Sequence, residues 1–430
     1  MAIFTLEALK AKEGDCLLLH WGDKTKPFHA LIDGGPGQVY EEFLADRLEE
    51  IRAKRQLDRL PLEFVMVSHV DNDHIIGIKK LFAQLKLEIE DNEPNRPIRV
   101  KTLWHNTFND ILGDGIDKYY QSFTASFTAS SNGQPNPEVI ERLATEFSKQ
   151  DQDAVTAFEN AYSVGLILAG HGEGRALRDS HKFLFDKQQV AALNAPFGAK
   201  LITSKTKAKT VQDLKFTIVG PMQSEIDALQ KEFDKFIKKK GLTAEAVLAA
   251  YADDSVPNLS SIVCLVEFNG KSILLTGDAR GDKILEGLKE AKLLKTSPLK
   301  VDILKGPHHG SDANVEPDFF QKILADHYIF SGDGKHGNPE RETLDMLMQA
   351  RGKQAVYDLY LTYRIPETDA TRKKDFEAKQ KRKKPANRRA WNPANDSLEA
   401  LLKSRREEGF KFRLHAGEPI QIHLGSDPFA

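Results

Sequence analysis

Residues 68–77 read Ser68-His69-Val70-Asp71-Asn72-Asp73-His74-Ile75-Ile76-Gly77, directly after the apolar run at 64–67. Two imidazoles and two carboxylates in so short a loop cannot be buried without severe desolvation unless a cation compensates them. Imidazole and carboxylate donors together suit a borderline-to-hard divalent ion such as Zn, Mn or Fe. His69 and Asp71 are two apart, so in an extended segment they share a side. Asp73 and His74 are adjacent and must point to different places, so one loop can feed two ions. Residues 75–87 resume helical periodicity. Strand, polar cluster, helix is the layout of a site at the carboxyl end of a strand in an α/β sheet.

Working outward, short apolar runs bounded by Gly and Pro predict strands at 16–21, 29–33, 64–67, 261–268, 272–276, 301–304 and 328–330. Asn269-Gly270 sits between two of them and predicts a tight hairpin, because both residues tolerate positive φ. Alternation at 410–414 and 420–424 predicts two closing strands. Helical spacing is read at 39–56, 138–160, 222–254 and 340–351. No repeat of fixed period is visible.

The chain has 430 residues, with 61 Lys+Arg against 63 Asp+Glu and 40% hydrophobic residues. That composition fits a folded protein and excludes a polycation or a disordered chain. Two cysteines exclude a disulfide scaffold and a Cys-based zinc ribbon; Cys16 and Cys264 lie in apolar runs and are expected as buried thiols. No apolar stretch approaches the roughly 18 residues a bilayer span needs. The N-terminal segment lacks the pattern of a secretory signal, so the expected location is cytoplasmic, with no membrane partner.

Residues 109–160 are polar, rich in Ser, Thr and Asn, and read either as an insertion or cap that offers a protein partner a surface, or as a plain surface excursion. Residues 371–389 carry ten basic and two acidic side chains. Such a run reads as a solvated, partly disordered loop, or as a nucleic-acid contact through Lys381, Arg382, Lys383 and Lys384.

The 68–77 loop resembles the H-x-H-x-D-H loop of the metallo-β-lactamase fold superfamily, with Asp71 in place of the second histidine. In that variant form it is similar to the hydrolase domain of the competence channel (ComEC) proteins and their stand-alone relatives. Further stretches agree in order: Gly14-Asp15-Cys16-Leu17-Leu18, Leu31-Ile32-Asp33-Gly34-Gly35, 258–263 (NLSSIV), 274–278 (LLTGD), 305–311 (KGPHHGS) and 331–339 (SGDGKHGNP). The likeness runs from about residue 5 to 350, with long unmatched segments between.

The resemblance implies an α/β fold, a metallo-β-lactamase-like αββα sandwich with helical insertions. It divides the chain into a first half of the core at 1–108, an insertion at 109–210, a second half at 211–355, and the basic segment with closing strands at 356–430. It implies two divalent metal ions, Zn or Mn. His69 and Asp71 would hold the first, Asp73 and His74 the second, and Asp278 would bridge them. His308 or His309 would complete the second site, with His308 favoured. Asp33 would orient a ligand imidazole from behind, and Asn258 and Ser260 would hydrogen-bond nearby. Asp73, His309 and His336 are the expected catalytic residues, with His309 or His336 as proton donor to the leaving oxygen; His336 reads equally as a capping side chain.

The superfamily's usual third-motif histidine has no clear counterpart. His105, His171 and His181 are candidates, and His171 lies in what reads as a Gly-rich turn at 170–174. Asp71 hardens the first site and favours Mn²⁺. The implied activity is metal-dependent hydrolysis, foremost by a phosphodiesterase or nuclease acting on DNA or RNA. Hydrolysis of a small-molecule ester, lactone or phosphate, and a non-catalytic metal-binding module in a larger assembly, are the alternatives, because fold does not fix function.

Overall fold

A computed structural model of the chain describes residues 2–107, 154–237, 260–383 and 385–429, with positions 110, 140, 141, 144, 145 and 148. The N-terminal strands are β1 (Ala2–Ala8), β2 (Leu17–Asp23), β3 (Pro27–Ile32), β4 (Leu60–Leu62), β5 (Val65–Met66), β6 (Ile98–Val100) and β7 (Leu103–Trp104). After them come β8 (Lys209–Val211), β9 (Leu214–Gly220), β10 (Val263–Phe268), β11 (Lys271–Leu275), β12 (Leu299–Lys305) and β13 (Ile323–Phe330). The last three are β14 (Val356–Leu361), β15 (Lys411–Ala416) and β16 (Ile420–His423).

These make a six-stranded sheet in the order β16-β1-β2-β3-β5-β7, an eight-stranded sheet in the order β15-β14-β13-β12-β11-β10-β9-β8, and a small β4-β6 pair. In each large sheet the pairing changes from antiparallel to parallel, at β3/β5 and at β11/β12. The two closing strands join different sheets, β15 beside β14 and β16 beside β1. The hairpin between β10 and β11 turns on Asn269 (φ 49°) and Gly270 (φ 74°), as the sequence predicts.

Period-two alternation assigns each face. Leu17, Leu19 and Trp21 of β2 meet Phe216, Cys264, Val266 and Ile273 in a core between the sheets. Phe64 stacks on Trp104 there, centroids 4.0 Å apart. Leu18 and Leu31 face the other way, onto α1 (Ala45–Lys54), α2 (Asn72–Glu90) and α3 (Ala154–Asp186). The outer face of the second sheet is covered by α5 (Gly281–Glu290), α6 (Pro317–Lys322), α7 (Arg341–Arg351) and α10 (Leu398–Glu407). The remaining helices are α4 (Gln223–Ile237), α8 (Ile365–Arg382) and α9 (Pro393–Asp396). The architecture is mixed α/β: helices, sheet, sheet, helices. Both cysteines are buried and free, and no described helix is long and apolar enough to cross a membrane.

Two expectations change. The Gly-rich segment 170–174 is not a turn but lies inside α3. Glycine lowers helix propensity by only about 1 kcal/mol, and packing of the helix outweighs it; a Cβ on Gly174 would make only ordinary contacts with Val70, Ile75 and His105 at 3.6–3.9 Å. The basic run is not a loop up to 382 but the C-terminal part of α8. Its charges pair along the helix, Lys379 with Asp375 at 2.9 Å and Lys373 with Glu377 at 3.8 Å. The helix read at 222–254 is described over Gln223–Ile237 as α4. Residues 238–259 lie outside the described residues, as does most of 109–153.

Candidate metal centre

The parallel strands deliver the site. Asp33 follows β3, Ser68-His69 follows β5, Asp278 follows β11, His308-His309 follows β12 and Ser331 follows β13, all at carboxyl ends. Asp15, just ahead of the antiparallel β2, arrives at the same edge because Leu17 pairs with Ile32. Asp71 is the N-cap of α2, but its side chain makes no capping hydrogen bond, so its carboxylate is left to face the site. Gly77 lets the α2 backbone pass against Gly34: an added Cβ would lie 2.0 Å from the Gly34 carbonyl oxygen.

Four imidazoles surround Asp278, each held by Nδ1. His74 Nδ1 donates to Asp33 Oδ2 at 2.9 Å. His69 Nδ1 lies 3.1 Å from the Ser68 hydroxyl, which itself donates to Asp33 Oδ2 at 2.7 Å. His308 Nδ1 donates to Asn314 Oδ1 at 2.7 Å, and His309 Nδ1 is 3.3 Å from Ser331 Oγ. The Nε2 atoms converge on Asp278: 3.8 Å for His69, 3.3 Å for His74, 3.5 Å for His308 and 3.3 Å for His309. Asp73 Oδ2 lies 3.4 Å from His309 Nε2 and 3.7 Å from His74 Nε2. Asp71 Oδ2 is 3.5 Å from His69 Nε2.

Two groups have ligand atoms close enough to share an ion: Asp15, His74, Asp278 and His309, and His69, Asp73 and His74. His69 Nε2 and Asp278 Oδ1 are buried with no hydrogen-bond partner among the described residues. Orphaned acceptors of this kind are costly to bury, and a cation between them would satisfy both. Donor chemistry and geometry therefore fit a divalent metal ion.

The electrostatics agree. Burial alone would raise the Asp278 pKa, yet His309, His74, His308 and His69 hold it well below the usual carboxylate range. Burial likewise opposes ionisation of Asp15, and Lys305 and His309 outweigh it. Burial would lower the His74 and His309 values, but Asp278 and its fellow carboxylates push both well above 6.5. The pocket is thus preset for positive charge, which protons supply when metal does not.

Four residues around the site carry unusual backbone angles. Asp33 (φ 55°), His308 (φ 45°), His309 (φ 53°) and His336 (φ 60°) all adopt left-handed conformations, which non-glycine residues rarely do.

The structure brings together His69, Asp71, Asp73, His74, Asp278, His308 and His309, with Asp33 behind them. Sequence favoured His308 for the Asp73–His74 cluster, but His309 is the one within it. The two successive left-handed residues splay the imidazoles, leaving His308 28% exposed, its Nε2 3.5 Å from Asp278. Ser260 is buried, but the hydroxyl that accepts from the Asp278 N–H, at 3.2 Å, is that of Ser261. Asn258 lies outside the described residues, as do Lys384 and the side chains of Arg382 and His171; Lys381 and Lys383 are exposed.

His181 is satisfied by the Ala191 carbonyl at 3.1 Å. His105 is fully buried at the end of β7, and neither ring nitrogen has a hydrogen-bond partner among the described residues. Burial, with Arg178 next, drives its pKa down to about 3, so it is a neutral imidazole.

Sequence reasoning missed Asp15 and Lys305 as site residues. Lys305 is 1% exposed, with Nζ 2.5 Å from Asp15 Oδ2 and 3.7 Å from Asp278 Oδ1. Both stood in the segments 14–18 and 305–311, where Asp15 passed for a strand start.

No protein-family model matches the chain. A stretch of 100 residues, 23% of the chain, is 31% identical to ComE operon protein 3 of Bacillus subtilis (strain 168), of which it covers 12%. A stretch of 95 residues is 30% identical to microtubule-associated protein 1A of Rattus norvegicus and of Homo sapiens, covering 3% of each. The chain therefore spans only a small fraction of the curated relatives it matches.

Proposed function

We propose that this protein is a metal-dependent hydrolase of the metallo-β-lactamase-like sandwich type, and that it cleaves phosphodiester bonds in nucleic acid. The observation that carries the reading is the convergence of four Nδ1-anchored imidazoles on Asp278 from segments far apart in sequence. The local likeness to ComE operon protein 3 and the competence-type motifs point to the same class, for which DNA degradation is implied.

The site gathers five carboxylates, Asp15, Asp33, Asp71, Asp73 and Asp278, against one buried ammonium, Lys305, which pairs with Asp15 and lies near Asp278, an excess that two divalent ions would balance. His69, Asp71 and Asp278 would hold one ion; Asp73, His74, His309 and Asp278 the other. Bound there, such ions would supply Lewis acidity that lowers the pKa of water and neutralises charge on the phosphate oxygens. The carboxylate at position 71 tilts the preference toward Mn²⁺ over Zn²⁺.

The protein's own groups do the rest. Asp33 and Ser68 fix His74 and His69 in one tautomer, Lys305 keeps Asp15 ionised, and no protein nucleophile is required. His336 feels the charge of Asp73, but burial and then Lys335 lower its pKa overall, so a proton-donor role there would require a bound phosphate to raise it. Helix α8 abuts the same turn, Lys379 Nζ donating to the His336 carbonyl at 3.2 Å.

The test is metal analysis of the purified protein, then cleavage assays on single- and double-stranded DNA, RNA and bis(p-nitrophenyl) phosphate. Bound divalent metal and cleavage that disappears in an Asp73→Ala, His74→Ala variant are expected. Failure to bind metal, or activity surviving the double substitution, overturns the reading.

A further inference from the structure

Beside the metal centre lies a cleft of about 230 Å³ whose walls include His336, Glu340, Phe376, Lys379, Arg389 and Trp391. That is below the roughly 300–1,000 Å³ of pockets for drug-sized ligands, the scale of one ring system. Two of its walls are continuous with the metal centre. Glu340 N donates to the Gly310 carbonyl at 2.9 Å, next to His309, and its Oε2 accepts from the Asp312 N–H at 2.6 Å. His336 feels the charge of Asp73.

The opposite wall is aromatic. Phe376 and Trp391 meet edge to face, centroids 5.5 Å apart. The Arg389 guanidinium lies 4.4 Å over Phe376, and that of Arg372 5.8 Å over Trp391.

The cations here are already compensated. Arg389 is bidentate to Asp396 at 2.7 Å on both arms. Lys379 pairs with Asp375 at 2.9 Å, and Arg372 donates to the carbonyls of Gly337 and Asp396 at 3.0 and 2.8 Å and contacts Asp369. A phosphate would have to compete with these carboxylates. A flat, uncharged heterocycle with polar edges would not: it can stack on the aromatic wall while its edge meets Glu340 and Lys379.

Resting on the nucleic-acid reading above, we infer that this cleft binds the base adjoining the phosphate presented to the metal centre, and that the substrate is single-stranded. A base inside a duplex is paired and stacked and would have to be extruded first.

Tryptophan fluorescence tests this, because Trp21 and Trp104 are 0% and 1% exposed in the core and only Trp391 can meet a ligand. With EDTA present to prevent cleavage, dT8 or rU8 is expected to quench the emission. A blunt duplex and an abasic 8-mer are expected not to. Comparison of the dT8 and rU8 arms assigns the sugar. In cleavage assays of the metal-loaded protein, Trp391→Ala is expected to raise KM for single strands by about 5- to 150-fold, the usual worth of one stacked base. Its kcat should be little changed, and Trp391→Phe should restore most of the loss. Equal quenching by the abasic strand, or an unchanged KM in a Trp391→Ala protein of wild-type Tm, overturns the inference. If no substrate is cleaved at all, the hydrolase reading fails separately, and the quenching result still decides whether the cleft takes a base.

Discussion

His74 and His309, 235 positions apart, face each other with their Nε2 atoms 3.1 Å apart. Two neutral imidazole nitrogens at that distance must share a proton or a metal ion. Each Nδ1 is tied from behind, His74 to Asp33 and His309 toward Ser331, so neither ring can turn away. His309→Ala is therefore expected to lower metal affinity by more than the roughly 10–100-fold typical of an outer-shell change. His308→Ala should stay within that range, because the His308 Nε2 reaches Asp278 at 3.5 Å but neither Asp73 nor His74 among the ion pairs of the described residues. Metal stoichiometry and competition with a chromophoric chelator measure both. The reverse ranking would return the ligand role to His308.

Asp33 is bound three ways: by the Ser68 N–H and hydroxyl, each at 2.7 Å, and by His74 Nδ1 at 2.9 Å. Asp33→Asn keeps the shape but replaces one acceptor oxygen with a donor, so the His74 tautomer is no longer fixed. Metal affinity or cleavage rate is expected to fall by roughly 10–100-fold with little loss of secondary structure by circular dichroism. A smaller change would mean that His74 is oriented by packing alone.

The 68–77 loop was readable because its residues are local and their types demand a cation. The hairpin at Asn269-Gly270 was readable because its chemistry is local too. Asp15 was not, since an aspartate before an apolar strand is ordinary until the Leu17–Ile32 pairing carries it to the site edge. The choice between His308 and His309 depends on two left-handed backbone angles, which no side-chain pattern encodes. The Gly-rich piece of α3 misled for a related reason: propensity is a weak prior, and packing against α2 overrides it. The role of Trp391 emerges only when α8 folds beside the His336 turn.

Charge state should tie metal to pH. In the metal-free protein the pKa values of the His74–His309 pair are raised well above 6.5, so the proton they share stabilises the fold below the unfolded value, and that contribution is lost as pH rises through the folded values. Asp15, Asp73 and Asp278 are depressed; their contribution is present above roughly pH 3.8 and is lost as pH falls through the depressed values. EDTA-treated protein is therefore expected to lose Tm on the alkaline side, as pH rises above the ordinary imidazole value of about 6.5, and saturating Mn²⁺ should remove that loss. Metal binding near neutral pH should release protons, seen calorimetrically as a dependence on buffer ionisation enthalpy. Identical Tm profiles with and without metal, and no proton release, would contradict the arrangement.

Lys305 offers a separate handle on the same charge balance. It is fully buried; desolvation would lower its pKa, but Asp15 and then Asp278 raise it above the ordinary lysine value, so it stays an ammonium. Lys305→Met would strand Asp15 without its closest counter-charge, and losing one partner of a buried pair typically costs about 3–5 kcal/mol. Adding Asp15→Asn should recover much of that loss, since the stranded charge disappears with it. Denaturant unfolding of the two single variants and the double variant gives the coupling energy directly. Additive losses would show that the two residues act independently and that the ammonium answers chiefly to Asp278. Repeating the cycle with saturating Mn²⁺ should shrink the Lys305→Met penalty, because a bound cation takes over part of the compensation that the ammonium provides.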